Sequence, residues 1–208
     1  MLLKSFFGYI KRFIVVIVRI FERALTGQSD FQFYSSEIAD FDAVTDLLHA
    51  KMLRREVENY LNKTFGITIQ KPVVLELYSG ASFDLRGIIM ELNGNLGRYH
   101  YDRLKNREMI HLVYLKKGLP RERFKAVLAH EMIHAFCREQ DIMPTDRYGR
   151  EGLARWVEHR ILKDMGQKAE ARKIEKIRTW KYGRAVQNMF ALEKKVGTSG
   201  VVEYLKKQ

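Results

Sequence analysis

The stretch "LAHEMIHAF", residues 128–136, decides the fold because it places two histidines four positions apart with a glutamate directly after the first. Pro120 suits the first turn of a helix that continues through this stretch. On that helix His130 and His134 project from one face, one turn apart, so two imidazole nitrogens can reach one ion. Glu131 lies ~100° around the helix from His130. The pattern therefore predicts a metal site with a carboxylate left free beside it.

The composition favours one folded domain with extensions. The chain has 208 residues, of which 46% are hydrophobic and 30% are charged, and this balance argues against disorder. Its single cysteine, Cys137, cannot close an internal disulfide or build a thiolate metal site, so a metal must be held by imidazole and carboxylate. We expect Cys137 to be a small buried apolar residue and the setting to be reducing and cytoplasmic.

The net charge of +12 is concentrated in the half of the chain that carries the motif. Residues 1–50 carry −1, residues 51–100 carry +2 and residues 101–208 carry +11. Such a field would attract acidic protein segments or anionic lipid. The sequence shows no glycine-rich phosphate loop and no basic stripe interleaved with aromatic residues, so no specific nucleic-acid partner is expected.

The N-terminal residues 1–26 have the pattern of a basic amphipathic helix, with apolar residues at spacings of three and four. The longest apolar run, Phe13 to Val18, is far shorter than the ~20 residues that span a bilayer. Two interpretations remain open: peripheral binding to an anionic membrane surface, or packing on the domain over its cleft. A polar linker, residues 27–36, follows.

Residues 37–208 are predicted to form a single domain of α+β class. The stretch from Glu37 to about Lys63 has helical spacing and Gly66 offers an end. Residues 70–116 contain alternating β-branched runs, bent at Asn93 and Gly94, that predict a small, mostly antiparallel sheet. A helical subdomain that carries the metal site follows, with helices over residues 120–139, about 150–165, about 168–178 and 180–196, and a short terminal piece.

Three residues after the motif are candidates for a third metal ligand. Glu151 lies 17 residues after His134, which leaves room for a loop and an antiparallel second helix. Glu158 is seven residues further on and only ~20° away around that helix, so it could instead orient a histidine from behind. His159 lies ~80° off. Glu158 and His159 could equally be ordinary surface residues of a charged helix.

The chemistry of such a site would be hydrolysis. A catalytic zinc ion needs three protein ligands and one open position for water, whose pKa it lowers towards ~7. Glu131 would accept the proton of that water and deliver it to the leaving amine. The sequence therefore predicts one zinc ion and a protein or peptide substrate, with acidic substrates favoured by the charge.

These residues resemble those of the gluzincin metallopeptidases, which combine HExxH with a glutamate on a following helix and have a zincin-like fold. Within that group, "FGITIQKPVVLELY", "IHLVYLKKGLPRERFKAVLAHEMIHAF" and "EGLARWVEH" are similar to the peptidase domain of the plant growth-limiting LIM-domain peptidases. The resemblance covers roughly residues 60–165. It implies His130, His134 and Glu151 as zinc ligands and Glu131 as general base, and His159 matches a family histidine.

The gluzincin resemblance also implies a donor for the oxyanion and a strand that holds the peptide. Many members use a tyrosine beside a glycine on a later helix, which here is Tyr182, with Tyr148 as the competitor. The edge strand before the zinc helix would be "EMIHLVYL". His111, on that strand, is expected to be a packing residue.

The chain departs from those relatives, and two other classes stay open. It has no LIM modules and no ubiquitin-binding helices, and Arg150 replaces an acidic residue beside the ligand. A SprT-like protease acting on DNA-bound proteins shares "HEMIHA" but takes a histidine as third ligand, usually before a glycine, whereas His159 precedes Arg160. The other alternative is a non-catalytic membrane-surface zinc protein.

Overall fold

The computed structural model describes residues 42–79, 96–103, 109–143, 146–178 and 182–207. The predicted N-terminal helix 1–26, the linker 27–36 and the bend at Asn93 and Gly94 lie outside these residues. The described elements follow one another in the order β1 Ala43–Val44, α1 Leu47–Phe65, β2 Val73–Tyr78, β3 Gly97–Arg103, β4 Met109–Lys116, β5 Leu119–Pro120, α2 Arg121–Glu139, α3 Arg147–Asp164, α4 Lys168–Glu175, α5 Tyr182–Val196 and α6 Gly200–Leu205. The predicted α+β class is confirmed.

Helix α1 is shorter at its start than the predicted helix from Glu37. Asp46 precedes it, and its carboxylate accepts a hydrogen bond from the backbone N–H of His49 at 2.8 Å, which favours a helix start at Leu47. The two residues Ala43 and Val44 form strand β1 instead. Gly66 ends α1 as predicted, at φ 66°, where a side chain would be strained.

The three-stranded sheet is mixed, with β4 between β2 and β3. Strand β3 runs antiparallel to β4, but β2 runs parallel to it, with Val73 opposite His111. The prediction of "EMIHLVYL" as an edge strand is therefore wrong for the described sheet. Alternation identifies a strand but not its partners, and the segment between β2 and β4 is long enough for a parallel connection.

Helix α2, which carries "LAHEMIHAF", packs against α1 and α3, and α3 in turn packs against α4 and α5. Helix α2 lies against α3, β3 and β4, and nearly every residue from Phe124 to Cys137 is buried. Cys137 is buried as predicted. Trp156 of α3 is fully buried and meets the ring of Phe65 edge-to-face at 5.1 Å, which joins α3 to the end of α1. The stretch "LAHEMIHAF" thus lies within the apolar core.

Residues 42–208 form one compact unit, and residues 1–41 are assigned to another. Within the described part of the chain, none of the helices combines the length and the apolar character needed to cross a bilayer.

Candidate metal centre

The two histidines of "LAHEMIHAF" converge on one point at the face of α2 that meets α3. The Nε2 atoms of His130 and His134 are 3.2 Å apart. Their side chains are 8% and 16% exposed, so both imidazoles are largely removed from water. The i, i+4 spacing thus produces the paired donors that the sequence predicts.

Helix α3 brings Glu151 to the same point. The side chain of Asp146 caps the helix by accepting a hydrogen bond from the backbone N–H of Gly149 at 2.9 Å. One turn later, Oε2 of Glu151 is 3.5 Å from Nε2 of His130, and its Oε1 is 3.6 Å from Nε2 of His134. Glu151 is the only one of the three candidate third ligands that joins the cluster of described residues able to hold an ion.

The spacing of these atoms fits a tetrahedral ion. Two ligands of a zinc ion at ~2.0–2.1 Å lie about 3.3–3.4 Å from each other in tetrahedral geometry. The shortest distances between the three residues are close to that value: 3.2 Å between the two Nε2 atoms, 3.5 Å from Oε2 of Glu151 to His130, and 3.6 Å from Oε1 of Glu151 to His134. Two imidazoles and one carboxylate can therefore coordinate a divalent metal without a large rearrangement.

Glu158 lies behind His130, seven residues after Glu151 on the same face of α3. Its Oε2 is 3.2 Å from Nδ1 of His130, the ring nitrogen that points away from the cluster. Arg155 donates to the same oxygen at 2.7 Å, and Arg123 donates to Oε1 at 3.0 Å. A carboxylate in this position fixes the rotation of the imidazole and its tautomer.

Burial and neighbouring charges move the pKa values of these groups in different directions. Burial lowers the pKa of His134 to about 4, and the charge of His130 adds to this effect. Burial also opposes a charge on His130, but its hydrogen bonds to Glu151 and Glu158 raise its pKa to about 9. Burial alone would raise the pKa of Glu151, but the hydrogen bond from His130 and the charges of both imidazoles lower this pKa to about 2. Without metal, His130 therefore holds a proton at neutral pH.

Glu131 is buried beside the cluster but is not a member of it. Burial raises the pKa of its carboxyl group to about 7, although the charge of His130 acts in the opposite direction. Strand β3 passes close by: a Cβ atom added at Gly97 would lie 2.8 Å from Oε1 of Glu131. A carboxylate with a pKa near neutrality can both accept and release a proton at physiological pH.

The structure does not bring His159 to the cluster. Its Nε2 contacts Oε1 of Glu175 at 2.8 Å, and its ring meets that of Phe190 edge-to-face at 4.8 Å. The ~100° step between neighbouring helical residues turns it to the side of α3 that faces α4 and α5. His159 therefore has a packing environment and not a metal-site environment.

The two tyrosines considered as oxyanion donors are placed differently. Tyr148, in the first turn of α3, is half-buried and lines a cavity of about 310 Å³ together with Met143, Arg184 and Met189. Tyr182 is the first residue of α5, and its side chain lies outside the described residues.

Sequence reasoning missed two residues near the site. Arg155 lies four residues after Glu151 and three before Glu158, a helical spacing that could have identified it. Tyr99 of β3 stacks on His134, with ring centroids 6.2 Å apart and planes inclined by 24°. No local signal connects Tyr99 with the motif, because the contact depends on how β3 packs on α2.

Comparisons with protein-family models, with curated proteins and with solved structures find no match for this chain.

Proposed function

We propose that this protein is a zinc-dependent peptidase of the gluzincin type. The observation that carries the proposal is the separation of 3.2–3.6 Å among the donor atoms of His130, His134 and Glu151, with Glu131 buried beside them. Imidazole and carboxylate donors suit zinc, and three protein ligands leave one position open, as in catalytic sites. When bound, zinc would supply Lewis-acid activation of a water molecule and of the scissile carbonyl group.

The residues around the metal would have separate roles in binding the ion and in catalysis. His130, His134 and Glu151 hold the ion, and Glu158 fixes the orientation of His130. Glu131 accepts a proton from the attacking water at its carboxylate and delivers it to the nitrogen of the leaving amine. Tyr148 or Tyr182 would donate a hydrogen bond to the oxyanion.

Strand β3 would hold the peptide, in the role that the gluzincin resemblance gives to the strand before the zinc helix. In the described sheet, β3 pairs with β4 on one side only, and it begins at Gly97 next to Glu131. An extended peptide that adds to such an edge forms backbone hydrogen bonds with it. This pairing would carry the scissile bond towards the base.

The SprT-like alternative receives less support from the geometry. It requires a histidine as third ligand, but His159 contacts Glu175 and lies on another side of α3. The non-catalytic alternative is also weaker, because structural zinc sites usually have four ligands and the cluster found among the described residues has three.

The variant Glu131→Gln tests the proposal because it removes the base and keeps the shape. We expect one zinc ion per chain by elemental analysis in both the parent and the variant. Cleavage of a peptide library, read by mass spectrometry, should fall by at least ~10²-fold in the variant. Turnover at the parental rate would contradict the mechanism, and absence of bound zinc with no rise of melting temperature on zinc addition would contradict the metal centre.

A further inference from the structure

A hydrogen-bonded network of three side chains, Tyr99, His111 and Glu139, connects the sheet with the last turn of α2. His111 of β4 is fully buried, and both of its ring nitrogens have partners. Its Nδ1 is 2.9 Å from the hydroxyl oxygen of Tyr99, and its Nε2 is 3.0 Å from Oε1 of Glu139. The Glu139 side chain is 5% exposed. His111 is therefore more than an inert packing residue: it joins β3 to α2.

At one end of this network, Glu139 is held by backbone groups. The Glu139 carboxylate accepts hydrogen bonds from the backbone N–H of Gln70 at 2.8 Å and of Lys71 at 2.7 Å. Because the Glu139 carboxylate accepts, His111 donates to it from Nε2, and the other ring nitrogen, Nδ1, forms the hydrogen bond with the Tyr99 hydroxyl. The Tyr99 hydroxyl is thus linked through His111 and Glu139 to the backbone at residues 70–71.

At the other end of the network, Tyr99 reaches the candidate metal centre. The Tyr99 ring stacks on the His134 imidazole, as described above. Gly97, two residues earlier and on the same side of β3, is the residue that approaches Glu131. One short strand thus contacts both a metal ligand and the base.

We infer that Tyr99 is a positioning residue for His134, held in place by His111 and Glu139. The inference rests on the proposed metal centre. Removal of the Tyr99 hydroxyl breaks the hydrogen bond to His111 and frees the ring to move. The His134 imidazole then loses its fixed neighbour and occupies the ligand position for a smaller fraction of the time. Groups that orient a ligand typically change metal affinity by ~10–100-fold when they are removed.

The test compares Tyr99→Phe with Tyr60→Phe. The Tyr60 hydroxyl, on α1, donates to Oδ2 of Asp164 at 2.7 Å, so the control also deletes a hydrogen-bonded hydroxyl but at the end of α3 remote from Glu151. We expect Tyr99→Phe to weaken zinc affinity by about tenfold, measured by competition with a chromophoric chelator. Tyr60→Phe should lower the melting temperature of the metal-free protein and leave zinc affinity unchanged.

A second readout reports the geometry of the site directly. With Co²⁺ in place of Zn²⁺, the visible absorption bands should shift or weaken in Tyr99→Phe and stay as in the parent in Tyr60→Phe. If Tyr99→Phe fails to fold, Glu139→Gln, at the other end of the hydrogen-bonded network, should also weaken zinc affinity.

The outcomes separate this inference from the proposed function. If the parent binds one zinc ion and Tyr99→Phe has parental affinity and an unchanged cobalt spectrum, the inference fails and the metal centre stands. Equal losses of affinity in Tyr99→Phe and Tyr60→Phe would also overturn the inference, since they would show only an effect of overall stability. If the parent binds no zinc, both fail.

Discussion

His130 and His134 lie one helical turn apart, yet their surroundings move their pKa values in opposite directions. Hydrogen bonds to two carboxylates keep His130 protonated near neutrality, whereas burial and the neighbouring charge keep His134 neutral. A metal must therefore displace a proton from one imidazole and not from the other.

This difference predicts a proton release that depends on pH. The pKa of His130 is raised from 6.5 to about 9, so its contribution to the stability of the metal-free fold is complete below pH 6.5 and is lost as the pH rises through 9. At pH 7.5 zinc binding should release the His130 proton in addition to any proton lost by zinc-bound water, and the His130 contribution should disappear above pH 10. Calorimetry in two buffers of different ionisation enthalpy measures the number of protons released; zero release at pH 7.5 would contradict the prediction.

The role of Glu158 can be tested by Glu158→Gln. Burial would raise the pKa of this carboxyl group, but His130 and the charge of Arg155 lower it to about 2. Its stabilising effect should therefore be present above pH 4.5 and disappear as the pH falls towards 2. We expect Glu158→Gln to weaken zinc binding by ~10–100-fold, because the imidazole loses its charged partner.

Glu193→Gln is the matched control for Glu158→Gln. Glu193 accepts a hydrogen bond from Nε1 of Trp156 at 2.9 Å and pairs with Arg160 at 3.3 Å, away from the metal ligands. The control should lower the melting temperature and keep the parental zinc affinity. Similar zinc affinities for both variants would argue against a specific role of Glu158.

At the scale of single elements, β3 and α2 are so close that the contact requires a glycine. A Cβ atom added at Gly97 would lie 2.6 Å from Cγ1 of Val127, 2.8 Å from Oε1 of Glu131 and 2.9 Å from Leu115. At least one of these neighbours must move, and Glu131 has the longest and most flexible side chain of the three. The start of β3 thus limits where the Glu131 carboxylate can lie.

We predict that Gly97→Ala reduces peptide cleavage by about 10²-fold while one zinc ion per chain remains bound. A displacement of the base by about 1 Å can cause a loss of that size. Gly200→Ala, where the new Cβ would meet only the Val196 side chain at 3.1–3.2 Å, is the control and should retain activity. Loss of zinc in Gly97→Ala would show that the strand positions the ligands instead.

Elements with a strong local signal could be predicted from the sequence. Helix α2 and the end of α1 follow from Pro120, from regular apolar spacing and from Gly66. The start of α1 was misplaced, because apolar spacing continues past the cap at Asp46. The parallel pairing of β2 with β4 was missed, since strand order depends on contacts between distant segments.

The same distinction explains which parts of the site could be predicted. His130, His134, Glu151 and Glu158 are related by helical spacing within two helices, and the structure brings them together. The contact of Tyr99 with His134 depends on how strand β3 packs on helix α2, and no spacing rule describes that packing.

At the scale of the whole molecule, all described groups of the candidate site lie in the compact unit of residues 42–208. We predict that a chain starting at Asp42 unfolds cooperatively and binds one zinc ion with the affinity of the full chain. Thermal unfolding and zinc titration of the two chains measure this. A tenfold weaker zinc affinity of the shorter chain would contradict the prediction.

The control for this truncation is a chain that starts at Asp46 and so lacks β1. Strand β1 pairs with β5, where Val44 faces Leu119 and Ala43 faces Pro120, directly before α2. Val44 is fully buried, so its removal should lower the melting temperature relative to the chain that starts at Asp42.

The parallel ladder between β2 and β4 also bears on how quickly the chain reaches its native state. Val73 pairs with a residue 38 positions further along the sequence, whereas only residues 140–146 separate α2 from α3. Bringing β2 and β4 together costs more conformational entropy than closing a short loop. Proteins with many such distant pairings therefore fold more slowly. We therefore expect the amides of α2 and α3 to become protected early in refolding and those of β4, the central strand of the sheet, to become protected last.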